Sequence, residues 1–110
     1  MELSETQVGS AAVLSASGRI DMSTSDAFRD RVIALLGAGR PLIVDMSGVS
    51  YISSAGLRAL MLGSKQAHTV GAKLALAALQ PVVLEIFQIS RFDKLLPCHP
   101  SVDAALAAVK

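Results

Sequence analysis

Two adjacent serines, Ser53 and Ser54, stand ahead of Ala55-Gly56-Leu57-Arg58, where a run of β-forming residues gives way to a helical repeat. A hydroxyl in such a turn has three chemical uses: it attacks an acyl group, it receives a phosphoryl group, or it accepts a backbone N–H as a helix cap. Acyl transfer wants a Gly-x-Ser-x-Gly elbow and a histidine base held by a third group. Here Ile52 stands two residues before Ser54, and the two histidines, His68 and His99, fit no triad pattern and read as surface residues. A phosphate-cradling Gly-x-x-x-x-Gly-Lys-Ser/Thr loop is missing, because Gly63-Ser64-Lys65 runs in another order. The adjacent acidic pair of a receiver domain is missing as well. The one cysteine, Cys98, lacks Cys or His company at ligand spacing, so no internal disulfide, no metal and no cofactor are expected. Taken alone, the pair reads first as a helix cap, a role that does not bar a hydroxyl from other chemistry.

The elements around these serines follow from the period of the apolar residues. Ala11 to Ala16, closed by Gly18, and Leu42-Ile43-Val44, entered by Pro41 and ended by Asp45, read as strands buried on two faces. Lys73 to Ala77 reads as a third, and Leu95-Leu96 between prolines as a short fourth. Elsewhere the period changes to 3.6. Phe28, Val32, Leu35 and Leu36 mark a first helix, opened by a capping box of Ser23 with Asp26 and stopped at Gly37. A second begins near Ser54 and turns Leu57, Leu60, Met61 and Ser64 inward, closing before Gly71. A third follows Pro81 with Val83, Ile86 and Phe87 on one face, and a fourth runs from Ser101 with Val102, Ala105, Leu106 and Val109. Alternating strands and helices predict an α/β fold with parallel strands.

In such sheets the carboxyl ends of the strands border the crevice that holds a site. The segment Asp45 to Leu57 reads as a buried strand, a turn, and two serines at the mouth of a helix, while Asp21 and Ser23 follow the earlier strand to the same end. Asp21 and Asp45 are open to two readings, as turn or cap residues or as groups that face a partner.

Composition narrows the class. With 110 residues, 52% of them hydrophobic and 17% charged, the chain is the size of one domain with ample core, and neither repeat nor linker divides it. A net charge of +1, scattered along the chain with few aromatics, offers no basic stripe for nucleic acid. The apolar runs are too short to cross a bilayer. The acidic Met1 to Glu5 segment does not fit a secretory leader. A cytoplasmic protein is expected.

The order of motifs is similar to a known family. Asp45-Met46-Ser47, Val49-Ser50-Tyr51 and Ser54-Ala55-Gly56-Leu57, preceded by Gly18-Arg19-Ile20-Asp21 and Ser23-Thr24, resemble the bacterial anti-sigma factor antagonists built on the STAS domain. The likeness extends through Leu79-Gln80-Pro81 and Phe92-Asp93-Lys94. It implies one STAS domain over residues 1–110, with a mixed, mostly parallel sheet of four to five strands flanked by about four helices. It also implies a partner switch rather than an enzyme. The cycle so implied is one in which the bare protein binds an anti-sigma factor that is an ATP-dependent serine kinase, frees the sigma factor, is phosphorylated and released, and is reset by a PP2C-type phosphatase. By the motif the phosphoacceptor is Ser54, with Asp21, Ser23, Ser53, Ala55, Gly56, Leu57 and Arg58 toward the partner. Ser53 stands where many relatives carry Asp, which alters the charge the partner meets. Arg58, where some relatives have Gly, is placed at i+4 to reach a phosphate on Ser54. The alternative within the resemblance is a STAS subunit of a membrane transport complex, docked on a cytoplasmic ATPase without a phosphorylation cycle.

Overall fold

A computed structural model describes residues 1–109. Its elements run β1 (Glu2–Val8), β2 (Ala11–Ile20), α1 (Ser25–Leu36), β3 (Leu42–Ile52), α2 (Ser54–Val70), β4 (Leu74–Ala77), α3 (Pro81–Ile89), a 3-10 turn (Phe92–Lys94), β5 (Cys98–His99) and α4 (Val102–Val109). The strands form one sheet in the order β1-β2-β3-β4-β5. β1 pairs antiparallel with β2, and every other neighbour is parallel.

The two faces of the sheet are unequally covered. Ala12, Leu14 and Ala16 of β2 and Leu42, Val44, Met46, Val49 and Ile52 of β3 share one core with Phe28, Val32 and Leu36 of α1, Leu57 and Leu60 of α2, and Val83 and Phe87 of α3. The alternate residues Val13, Ile43 and Ala77 meet only α4, through Ala105, with Val102, Leu106 and Val109 packed around it. Period-2 alternation along β2 thus sends successive side chains to opposite layers.

Six expectations change. The first strand, β1, carries little sequence signal, because it is an edge strand with six of its seven side chains exposed and only Leu3 reaching the core. Charge secures it instead, through an ion pair of Glu5 with Arg31 on α1. β3 does not stop at Asp45. It continues seven residues further, pairing with β2 through two register shifts that break its alternation. Gly48 permits the first of these, since a Cβ there would stand 2.8 Å from Ser17 Cβ and 3.0 Å from the Ala16 carbonyl oxygen.

The short last strand is Cys98–His99 rather than Leu95-Leu96. Leu96 plugs the core, and the carbonyl of Pro97 accepts from the Leu76 N–H at 2.9 Å to start the pairing. His99, in that strand, is consequently half-buried rather than on the surface.

Ser23 and Asp26 form no capping box. Thr24 precedes α1 without a side-chain cap bond, its own hydroxyl being given to the Arg19 carbonyl at 2.9 Å, while the Ser23 hydroxyl is given to Asp21 at 2.7 Å, a stronger, charged acceptor. On α2, Met61 is exposed and Ser64 half-exposed. The buried stripe is Gly56, Leu57, Ala59, Leu60, Gly63 and Ala67. Its small residues let α1 approach closely, with Val32 over Gly63. No helix among the described residues is long and apolar enough to cross a membrane.

Candidate functional site

β2 and β3 end side by side, with Ile20 paired to Ile52. The chain leaves β3 through Ser53, whose N–H donates to the Ile20 carbonyl at 2.9 Å. Ser53 keeps extended dihedrals (φ −91°, ψ 176°), and its hydroxyl accepts from the Gly56 N–H at 3.4 Å while its carbonyl accepts from Leu57 at 2.9 Å. It is therefore the N-cap of α2. That leaves Ser54 as the first helical residue, exposed, beside first-turn amides and the positive end of the helix dipole. The two serines have divided the uses of a hydroxyl: one closes the helix, the other faces outward.

Gly56 holds this turn against the sheet. A Cβ at that position would lie 2.6 Å from Ile52 Cγ1, 2.8 Å from Ile20 Cγ2 and 3.1 Å from the Ile20 carbonyl oxygen, all groups at the strand ends. Gly56 and Leu57 are both buried in the isolated chain and position the turn.

The neighbouring turn between β2 and α1 is built on Asp21. Its carboxylate accepts the Ser23 N–H at 3.0 Å and the Ser23 hydroxyl at 2.7 Å, with the Thr24 hydroxyl at 3.3 Å and the Arg19 guanidinium at 3.8 Å. Those two hydrogen bonds from Ser23 hold the carboxyl below the usual aspartate value, with Thr24 and Arg19 adding smaller effects in the same direction. Arg19 in turn lies over the Tyr51 ring, 4.4 Å from its centroid, tying the two strand ends together on their outer side. Asp45 lies within β3, where its carboxylate accepts the Ser47 N–H at 3.0 Å and the Ser15 hydroxyl at 3.4 Å.

A groove of about 460 Å³ opens between the starts of α1 and α2, lined on one side by Ser54, Ala55, Arg58, Ala59 and Leu62 and on the other by Met22, Ser25, Asp26 and Arg29. Of the residues singled out from the sequence, it brings together Ser54, Ala55 and Arg58. Asp21, Ser23 and Ser53 lie in the turns behind it, and Asp45 and Ser47 lie back along β3. The groove also contains residues that sequence reasoning missed. Met22 is 85% exposed at its rim, an unusual place for a large apolar side chain. Arg29 donates to Asp30 at 2.9 and 3.0 Å and to Asp26 at 3.4 Å. The i,i+3 pattern of Asp26 and Arg29 was visible in the sequence, but nothing there placed it beside Ser54. His68 is fourteen residues along α2, about 20 Å from Ser54, too far to act as its base.

Comparison with known proteins identifies this architecture. Residues 3–105 match the model of the STAS domain. The chain belongs to the STAS domain family. Among STAS relatives, BtrV of Bordetella bronchiseptica, named for the role of anti-sigma factor antagonist, is 32% identical over 111 residues, covering all of this chain and 96% of its own length. Rv2638 of Mycobacterium tuberculosis, named as an anti-anti-sigma factor, is 32% identical over 101 residues, covering 89% of this chain and 68% of its own. The crystal structure of an anti-sigma factor antagonist from Mycobacterium paratuberculosis superposes with a TM-score of 0.85 at 26% identity, covering 98% of this chain and 92% of its own.

Proposed function

We propose that this STAS domain, spanning residues 1–110, is an anti-sigma factor antagonist switched by phosphorylation of Ser54. In its bare form it binds an anti-sigma factor with serine kinase activity in the cytoplasm and so releases a sigma factor. Phosphorylation of Ser54 by that kinase ends the complex, and a PP2C-type serine phosphatase restores it. The domain acts as a binding module and as a substrate of other enzymes, not as an enzyme.

The observation that carries this reading is the separation of Ser53 from Ser54. With Ser53 serving as the cap, the Ser54 hydroxyl is free of structural duty and exposed beside a groove. A phosphate there adds about −1.5 to −2 charges and meets helix amides, so the fold tolerates it. A partner seated on the groove must instead desolvate that charge. A penalty of a few kcal/mol at such an interface corresponds to two or more decades of affinity.

The test incubates the protein with its anti-sigma kinase, ATP and magnesium and locates phosphate by mass spectrometry. Phosphate on Ser54, loss of modification and persistence of the complex in Ser54→Ala, and a weakened complex in Ser54→Asp are expected. Phosphate on another residue, or a Ser54→Asp variant that binds as tightly as the wild type, refutes the reading.

A further inference from the structure

Four polar side chains of the α1–α2 groove can take part in charge chemistry: Ser54 and Arg58 from α2, Asp26 and Arg29 from α1. Because the strands feeding the two helices end in register at Ile20 and Ile52, the helices start side by side. Asp26 belongs to the first turn of α1 as Ser54 does to that of α2, and Arg29 and Arg58 stand about one turn further along, lining the same cavity. Arg58 is exposed. Arg29 is shared unequally between two carboxylates, with a forked contact to Asp30 and one long bond of 3.4 Å to Asp26.

We propose that a phosphate on Ser54 is clamped by guanidinium groups from both helices, Arg58 of α2 and Arg29 of α1, with Arg29 exchanging Asp26 for the phosphate. The inference rests on the reading of Ser54 as the phosphoacceptor. Three phosphate oxygens bearing up to two charges outcompete one carboxylate held at 3.4 Å, and the planar fork of arginine suits them. Asp30 keeps its hold on Arg29 from the outer side, so only the weak link is traded. The clamp would remove two cations and the bare hydroxyl from the partner's view in one event and fix the phosphate across the groove. Asp26, facing the phosphate without its cation, opposes the clamp by like-charge repulsion. The other charges at this end, Asp21 and Arg19, are engaged with each other behind the turn.

The experiment places phosphoserine at position 54 during translation, so that no kinase is required, and follows its phosphorus NMR shift against pH. The second ionisation of phosphoserine ordinarily falls near about 6. Cations stabilise the dianion and lower it, whereas a neighbouring carboxylate raises it. The clamp predicts a wild-type value below that, raised by about 0.3 to 0.5 unit in Arg58→Gln and again in Arg29→Gln, raised further in the double variant, and lowered in Asp26→Asn. Arg29→Lys, which keeps the charge but loses the fork, should fall between wild type and Arg29→Gln, and it stands in for Arg29→Gln should that variant fail to fold. If Arg29→Gln leaves the ionisation within about 0.1 unit of wild type, or Arg58→Gln does so, the phosphate is held by one helix at most and the two-helix clamp is overturned. The titration stands apart from the kinase assay. A kinase that ignores Ser54 refutes the proposed function, whereas silent arginine variants refute only the clamp.

Discussion

Replacing Gly56 by alanine should destabilise the domain and displace Ser54 together. The added methyl meets Ile52 Cγ1 at 2.6 Å, Ile20 Cγ2 at 2.8 Å and the Ile20 carbonyl oxygen at 3.1 Å. Both isoleucines are fully buried and stiff at χ1, and the carbonyl already accepts the Ser53 N–H, so none of the three can simply swing away. Overpacking of this kind costs about 1–3 kcal/mol, and three rigid neighbours put this site near the top of that range. Alanine gives back about 1 kcal/mol of helix propensity. The balance is a loss of about 2 kcal/mol, or about 8 °C in melting temperature for a domain of this size. Gly63→Ala supplies the control on the same helix. Its methyl meets one close neighbour, Val32 Cγ1 at 2.9 Å, with Leu74 Cδ2 at 3.4 Å and no backbone atom, and the helix propensity gained offsets part of the clash, so the loss should stay within about 1 kcal/mol. Circular-dichroism melts measure the stability. The rate of Ser54 phosphorylation measures whether the first turn has lifted from the strand ends, and it should fall in Gly56→Ala alone. Melting within about 2 °C of wild type, or an equal loss in Gly63→Ala, would show that the turn is not pinned as described.

Ser53→Ala removes the cap and should cost about 0.5–1 kcal/mol in urea unfolding, while Ser54→Ala stays within about 0.5 kcal/mol; the reverse order would reassign the cap. Burial, with a smaller contribution from the Asp93 carboxylate, pushes the Cys98 thiol up from 9.0 to about 11. Its thiolate population at pH 8 is thus about a hundredfold lower than in the unfolded chain, and iodoacetamide should alkylate the folded protein slower by about that factor; equal rates in buffer and in urea would contradict it. Because the folded value lies above the unfolded one, folding favours the protonated thiol. That stabilisation is complete below pH 9 and is lost as pH rises toward 11, so Cys98→Ser should flatten stability across this window.

The parts of the fold visible in the sequence were those in which hydrophobic periodicity alone decides the outcome. β2, β4 and the first half of β3 are buried on both faces, and α1 and α3 turn single apolar stripes to one core. β1 escaped because an edge strand with one inward residue has almost no pattern to read. The second half of β3 escaped because its register shifts change the spacing of buried residues from Val44 and Met46 to Val49 and Ile52. On α2, packing against α1 selects Ala59, Gly63 and Ala67, residues too small to announce themselves as core. The site shows the same division. The motif around Ser54 located the turn between β3 and α2, but which serine caps the helix depends on backbone dihedrals. That Met22, Asp26 and Arg29 share a groove with Ser54 depends on how two helices distant in sequence begin together.

That geometry also explains why a charge can be added here without disturbing the domain. The residues that hold the turn, Ser53, Gly56 and Leu57, bond to or pack against the ends of β2 and β3 and do not involve the Ser54 hydroxyl. Across the groove, the Asp21 turn is fastened by Ser23, Thr24 and Arg19, again without recourse to Ser54. On the proposed reading, a phosphate on Ser54 leaves in place the bonds that hold these two turns. What changes is the electrostatic face of the groove, where Arg29, Arg58 and Asp26 meet whatever is seated on it. A switch of this kind needs no second conformation of the fold. Its free energy resides in the desolvation of one group at an interface, which a rigid scaffold presents to the partner without first having to rearrange.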